Sequence, residues 1–206
     1  MKQQWLSRAA PASLIVVFGG WAVGAAAFDG LSSDSAVLLV EDYTRLDDPL
    51  PELAQYDEVT LVSFSFGVVS AAHWMAQTGF TPTRQIAISG TLWPADEDKG
   101  IAPDMIRATA ENLSDDSFAK FCRRAGLKTP APAIDIAAAR AELNAIIDRG
   151  PAPDARFDRI WIPKRDRVIP AHSQVLAWES QPQAVRYVLA PHIPFEAGQS
   201  WADWIK

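Results

Sequence analysis

Cysteine is almost absent from this chain: Cys122 stands alone among 206 residues. A single thiol excludes an internal disulfide and offers no cluster for a metal. Cys122 also lacks, in motif form, the His and Asn partners that a cysteine nucleophile needs, so it reads as structural. Histidine is nearly as scarce, limited to His73, His172 and His192. No group of side chains has metal-ligand spacing and there is no phosphate-loop motif, so neither a metal nor another cofactor is expected. An excess of positive charge is missing too. A net charge of −6 argues against general nucleic-acid binding. No apolar run is long enough for a membrane-crossing helix, and there is no internal repeat or low-complexity tract.

What the chain does contain is apolar bulk. With 49% apolar and 10% aromatic residues, it can build one real core, and residues 1–206 read as a single domain. Six segments have strand character: Leu14–Phe18, Ala36–Val40, Val59–Ser63, Gln85–Ser89, Arg159–Pro163 and Val185–Leu189. The first five are continuous apolar runs rather than alternations, as expected of parallel strands buried on both faces. Alternation with helical segments implies a mostly parallel, doubly wound α/β sheet. From 94 to 156 the pattern changes to a helical stretch rich in Ala and charges, broken by Gly100, Pro103, Gly126, Pro130, Pro132 and Gly150. This segment reads as a helical cap inserted between two sheet strands.

The stretch Leu61-Val62-Ser63-Phe64-Ser65-Phe66-Gly67-Val68-Val69 carries the chemistry. A β-branched run stops at a small-x-Ser-x-Gly signature, and a helix-compatible run follows. This is the pattern of a nucleophile elbow, a sharp strand-to-helix turn that holds a serine hydroxyl above a sheet. Ser63 stands where the pattern normally has glycine. In the α/β-hydrolase fold, serine is followed in chain order by Asp or Glu and then by His, each on a loop after a later strand. Asp166 follows Arg159–Pro163, and His192 follows Val185–Leu189. His73 falls in the helix after the elbow and His172 near the start of another, so His192 is the histidine that ends a strand. Asp158 precedes its strand, which favours Asp166 as the partner. Gly19-Gly20-Trp21 directly follows the first buried strand. The backbone N–H groups of Trp21 and Phe66 are therefore the expected oxyanion donors.

The chain is short for this fold and reads as lacking the antiparallel strands that usually precede the oxyanion strand. Its N-terminus, with Lys2, Arg8 and the run from Leu14 to Ala27, has some signal-peptide character. Gly19, Gly20 and Gly24 interrupt that run and Pro11 precedes it. The expectation is a retained strand and a cytoplasmic protein.

With these motifs in place, the chain resembles the BioG-type pimeloyl-[acyl-carrier protein] methyl ester esterases. The resemblance rests on Phe18–Trp21, on Ser63–Val68 and on Ile88-Ser89-Gly90-Thr91-Leu92-Trp93-Pro94 with Gly100-Ile101. It continues in Asp166-Arg167-Val168-Ile169-Pro170 with Gln174 and in Pro191-His192-Ile193-Pro194-Phe195. It departs at Ala22, where glycine is expected, and at Ile193, where an aromatic is usual. The resemblance implies a compact α/β-hydrolase that uses Ser65, Asp166 and His192 to release methanol from the methyl ester of pimeloyl-acyl-carrier protein in biotin synthesis. An acidic carrier protein would be its partner, with no nucleic acid, membrane or metal. Lys120, Arg123, Arg124 and Lys128 are spaced as one helix face and fit a docking site for such a carrier, with Arg107, Arg140 and Arg149 as possible additions. Trp21, Phe66, Trp93 and Phe195 are expected to line the substrate pocket, and Phe64 to join the core. The same triad would also serve a short-chain carboxylesterase or a thioesterase. An idle scaffold acting in binding is the alternative outside catalysis.

Overall fold

Runs of valine, isoleucine and leucine build the centre of the molecule. The computed structural model describes residues 1–8 and 13–206. Its strands are β1 (Lys2–Ser7), β2 (Ser13–Phe18), β3 (Ala36–Glu41), β4 (Glu58–Phe64), β5 (Arg84–Ile88), β6 (Arg159–Pro163) and β7 (Val185–Val188). They form one 7-stranded sheet in the order β1-β3-β2-β4-β5-β6-β7. Every pairing is parallel except β1 with β3. The order reverses around β2, with β3 on one side and β4 on the other. The loops after β2 and β4 therefore meet at the carboxyl edge, where open α/β sheets place their ligands.

All six expected strands are present to within a residue or two. β1 corrects the expectation of a missing antiparallel strand. It pairs Lys2 with Glu41 through Ser7 with Val37. Lying at the sheet edge, it needs no apolar run and carries none in Lys2-Gln3-Gln4-Trp5-Leu6-Ser7. The N-terminal apolar run enters β2, an interior strand buried from Leu14 to Phe18. Pro11 lies outside the described residues.

The helices are α1 (Phe66–Thr78), α2 (Pro103–Glu111), α3 (Asp115–Ala125), α4 (Ile136–Arg149), α5 (Ala171–Ala177) and α6 (Trp201–Ile205). Local chemistry sets their ends. Ser114 and Ser117 form a reciprocal capping box at the start of α3. The Asp135 carboxylate accepts from the N–H groups of Ala137 and Ala138 at the start of α4. Gly126, in the left-handed region at φ 93°, ends α3. α2, α3 and α4 lie between β5 and β6, and their buried Ile106, Phe118, Leu143 and Ile146 belong to the same hydrophobic cluster as the strands.

Candidate active site

Ser65 makes the turn between β4 and α1 with φ 56° and ψ −126°. A non-glycine residue held there stores on the order of 1–3 kcal/mol of strain. Two backbone bonds hold the turn: Ser65 N–H donates to Ile88 O at 2.9 Å and Val68 N–H to Ser65 O at 3.0 Å. Close crossing of β2 demands glycine two residues on, because a Cβ at Gly67 would stand 2.1 Å from Phe18 O. Ser63 is accommodated fully buried, and its hydroxyl meets no protein partner among the described residues.

Three loops at the carboxyl edge bring Ser65, Asp166 and His192 together. His192 Nε2 lies 2.9 Å from Ser65 Oγ, and His192 Nδ1 lies 2.7 Å from Asp166 Oδ2. An ionised carboxylate only accepts hydrogen bonds. It therefore holds the imidazole proton on Nδ1 and leaves Nε2 free to accept from the serine hydroxyl. Asp166 is itself fixed on all sides. Its Oδ1 accepts from the N–H groups of Val168 at 2.7 Å and Ile169 at 3.0 Å. Its Oδ2 also accepts from Gln174 Nε2 at 2.9 Å, and that amide reaches Ile169 O at 2.8 Å as well. Ser65, Asp166, Gln174 and His192 are all buried. The Phe64 ring is buried in the core and packs on the His192 ring at 5.3 Å between centroids.

The other candidates lie elsewhere. Asp158 Oδ2 accepts from Gln85 N–H. His73 is within hydrogen-bond reach of Gly150 O, and burial lowers its pKa. His172 is exposed on α5.

The Gly19–Trp21 loop passes beside the elbow. A Cβ on Gly20 would stand 2.7 Å from the Phe64 ring, so glycine permits the close approach. Among the described residues, the backbone N–H groups of Trp21 and Phe66 meet no acceptor. Phe66 opens α1, where the first N–H groups have no partner within the helix and the dipole favours negative charge. The Trp21 indole turns away and donates to Ala139 O on α4 at 2.8 Å, with its ring edge-on to Phe118 and Phe121 of α3.

A narrow cavity of about 60 Å³ opens on Ser65. Trp21, Phe66, Ile106, Phe121, Leu143 and Val168 supply apolar wall, and Met105, Arg124 and Arg167 also line it. The α2–α4 wall escaped the sequence reading, since its only local trace is ordinary amphipathic patterning. Trp93 and Phe195 are corrections. Trp93 faces a separate cavity beside Trp178 and lies under Lys99 Nζ. Phe195 is buried against Phe28, Phe64, Trp201 and Trp204.

The basic set is also redistributed. Lys120, Arg123 and Arg124 are exposed on α3, but the helix ends at Ala125. Lys128 lies beyond it and pairs with Glu196 at 2.8 Å. Arg140 donates to Ala110 O and Leu113 O, and Arg149 to Tyr43 O and Thr44 O. Both are half-buried and tied to backbone carbonyls rather than added to an open patch. Arg107 is exposed. Among the described residues, no helix is long and apolar enough to cross a membrane.

The profile of the family described as Pimeloyl-ACP methyl esterase BioG matches residues 1–203. The crystal structure of BioG from Haemophilus influenzae superposes with a TM-score of 0.88 at 26% identity, covering 100% of both chains. A malonyl-[acyl-carrier protein] O-methyltransferase of Bacteroides fragilis is 26% identical over 177 residues, covering 80% of this chain. The chain spans 36% of that relative's length. A thermophilic esterase from Thermogutta terrifontis shares the fold, with a TM-score of 0.66 at 12% identity over 93% of this chain and 86% of its own.

Proposed function

The chain belongs to the BioG family of pimeloyl-ACP methyl esterases, an α/β-hydrolase with the activity of a carboxylic ester hydrolase, and from that premise we propose that Ser65, His192 and Asp166 perform the hydrolysis. The observation that carries this reading is the buried hydrogen-bonded chain from Ser65 through His192 to Asp166, opening on a lined cavity.

His192 Nε2 takes the hydroxyl proton as Ser65 Oγ attacks the ester carbonyl carbon. The carbonyl oxygen becomes an oxyanion held by the N–H groups of Trp21 and Phe66, each worth roughly 3–4 kcal/mol in such sites. Collapse expels methoxide, which leaves as methanol with the proton from His192, and an acyl-serine remains. Water then attacks that ester while His192 takes its proton. The second collapse returns the proton to Ser65 and frees the ω-carboxylate. Asp166 fixes the ring and stabilises the imidazolium in both halves.

Residues 94–156 act as the cap of a single domain, with α2, α3 and α4 forming the outer wall of the acyl slot. The carrier protein docks on the exposed basic turn of α3, at Lys120, Arg123 and Arg124. Arg124 belongs to both surfaces, because it also lines the cavity. The Bacteroides relative carries a name that denotes methyl transfer onto a carrier-bound acid, and an esterase removing such a methyl group is its chemical complement. A carrier-bound substrate places the reaction in the cytoplasm.

The test is methanol release from pimeloyl-carrier protein methyl ester. Ser65-dependent release supports the reading. Hydrolysis confined to small free esters would move the function to a general esterase.

A further inference from the structure

Helix α4 does more than cover the slot. Its residues 139, 142 and 149 fall on one helix face, and all three bind the segments that shape the oxyanion loop. Ala139 O accepts from the Trp21 indole at 2.8 Å. Glu142 Oε1 accepts from Tyr43 N–H at 3.0 Å. Arg149 Nη2 donates to Tyr43 O at 2.7 Å. Tyr43 in turn reaches the loop. Its hydroxyl lies within donating reach of Gly19 O, 2.8 Å away, and Val40 O, 2.9 Å away, while its ring stacks on Phe18. Gly19 N–H completes the clamp by donating to Val40 O at 3.0 Å.

Tyr43 is fully buried and Glu142 is 8% exposed. A carboxyl group in such a place is costly unless it is hydrogen-bonded, and the Tyr43 N–H supplies such a bond. Burial first, and then Asp42 and Glu41, push its pKa up to about 7. Core packing alone would favour a leucine at this position.

We propose that Tyr43 and Glu142 are positioning residues for ester hydrolysis, through which α4 grips Gly19–Trp21 and aims the Trp21 N–H at the oxyanion. The proposal rests on the assignment of that N–H as an oxyanion donor. It makes α4 a fixed brace of a preorganised site. A donor displaced by a fraction of an ångström loses transition-state stabilisation while ground-state binding is kept.

The experiment measures kcat and KM on p-nitrophenyl acetate, together with the Ki of an alkyl boronic acid that forms a tetrahedral adduct on Ser65. The variants are Tyr43→Phe, Glu142→Leu, Glu142→Gln and Ser65→Ala. Tyr43→Phe and Glu142→Leu are expected to lower kcat about tenfold with KM within about twofold, and to weaken the boronic acid by a similar factor. Glu142→Gln keeps an oxygen for the Tyr43 N–H and is expected to stay within about threefold of the parent. Circular dichroism and a melting curve establish that each variant is folded. Parental kcat in folded Tyr43→Phe and Glu142→Leu, with Ser65→Ala inactive, would overturn the brace and leave the serine mechanism standing. Glu142→Gln as slow as Glu142→Leu would overturn the acceptor role. An active Ser65→Ala would instead remove the esterase reading beneath the proposal.

Discussion

His192 Nε2 stands 2.9 Å from Ser65 Oγ although 127 residues separate them in sequence. Ser65 holds its place in that contact at a positive φ that most residues avoid. Ser65→Ala and Ser65→Gly should both lose ester hydrolysis. Glycine relieves the turn, so Ser65→Gly should be more stable than Ser65→Ala by about 1–2 kcal/mol. Chemical denaturation of the two variants measures the difference. Equal stabilities would show that the elbow is unstrained.

Gln174 and His192 donate to the same oxygen of Asp166. Gln174→Leu removes a donor to a buried carboxylate, an interaction worth roughly 1.5–3 kcal/mol. We expect kcat to fall about tenfold or more with KM little changed. Unaltered kcat would make Gln174 a packing residue.

Much of this was legible in the sequence, and the reasons differ by element. β2 through β6 are buried on both faces and read as runs, so their order and the elbow after β4 could be located. Asp166 and His192 followed from strand ends in a fixed order. β1 was hidden because an edge strand needs no apolar run. Lys128 dropped out of the basic face because Gly126 ends the helix in a left-handed conformation. Trp93 and Phe195 flank the right motifs, but Trp93 lines another cavity and Phe195 packs into an aromatic cluster of the core. The Glu142–Tyr43 bond spans 99 residues and has no local signature at all.

Glu142 sets a pH dependence of stability. Its folded pKa of about 7 lies above the ordinary 4.5, with desolvation as the main cause and Asp42 and Glu41 adding to it. Between these values the folded state keeps a proton that the unfolded state has lost. Stability therefore falls as pH rises through this window. The full penalty above it is at most on the order of 3 kcal/mol. Glu142→Gln lacks the titration, so its melting temperature should gain on the parent between pH 4 and pH 8. A constant difference across that range would contradict a neutral buried Glu142.

Lys120 and Arg123 are exposed on α3 and do not line the cavity. Reversing both charges should raise KM several-fold for a carrier-bound ester and leave a small ester unaffected, with the gap shrinking in high salt. Equal effects on the two substrates would argue against docking there.

The proposed reaction makes Ser65 the nucleophile that releases methanol from a carrier-bound pimeloyl methyl ester. The most direct test follows methanol released by purified protein from pimeloyl-carrier protein methyl ester, with Ser65→Ala alongside. Rapid, serine-dependent release is expected, much faster than from a small free methyl ester. No release from the carrier-bound ester, or release that survives Ser65→Ala, would contradict it.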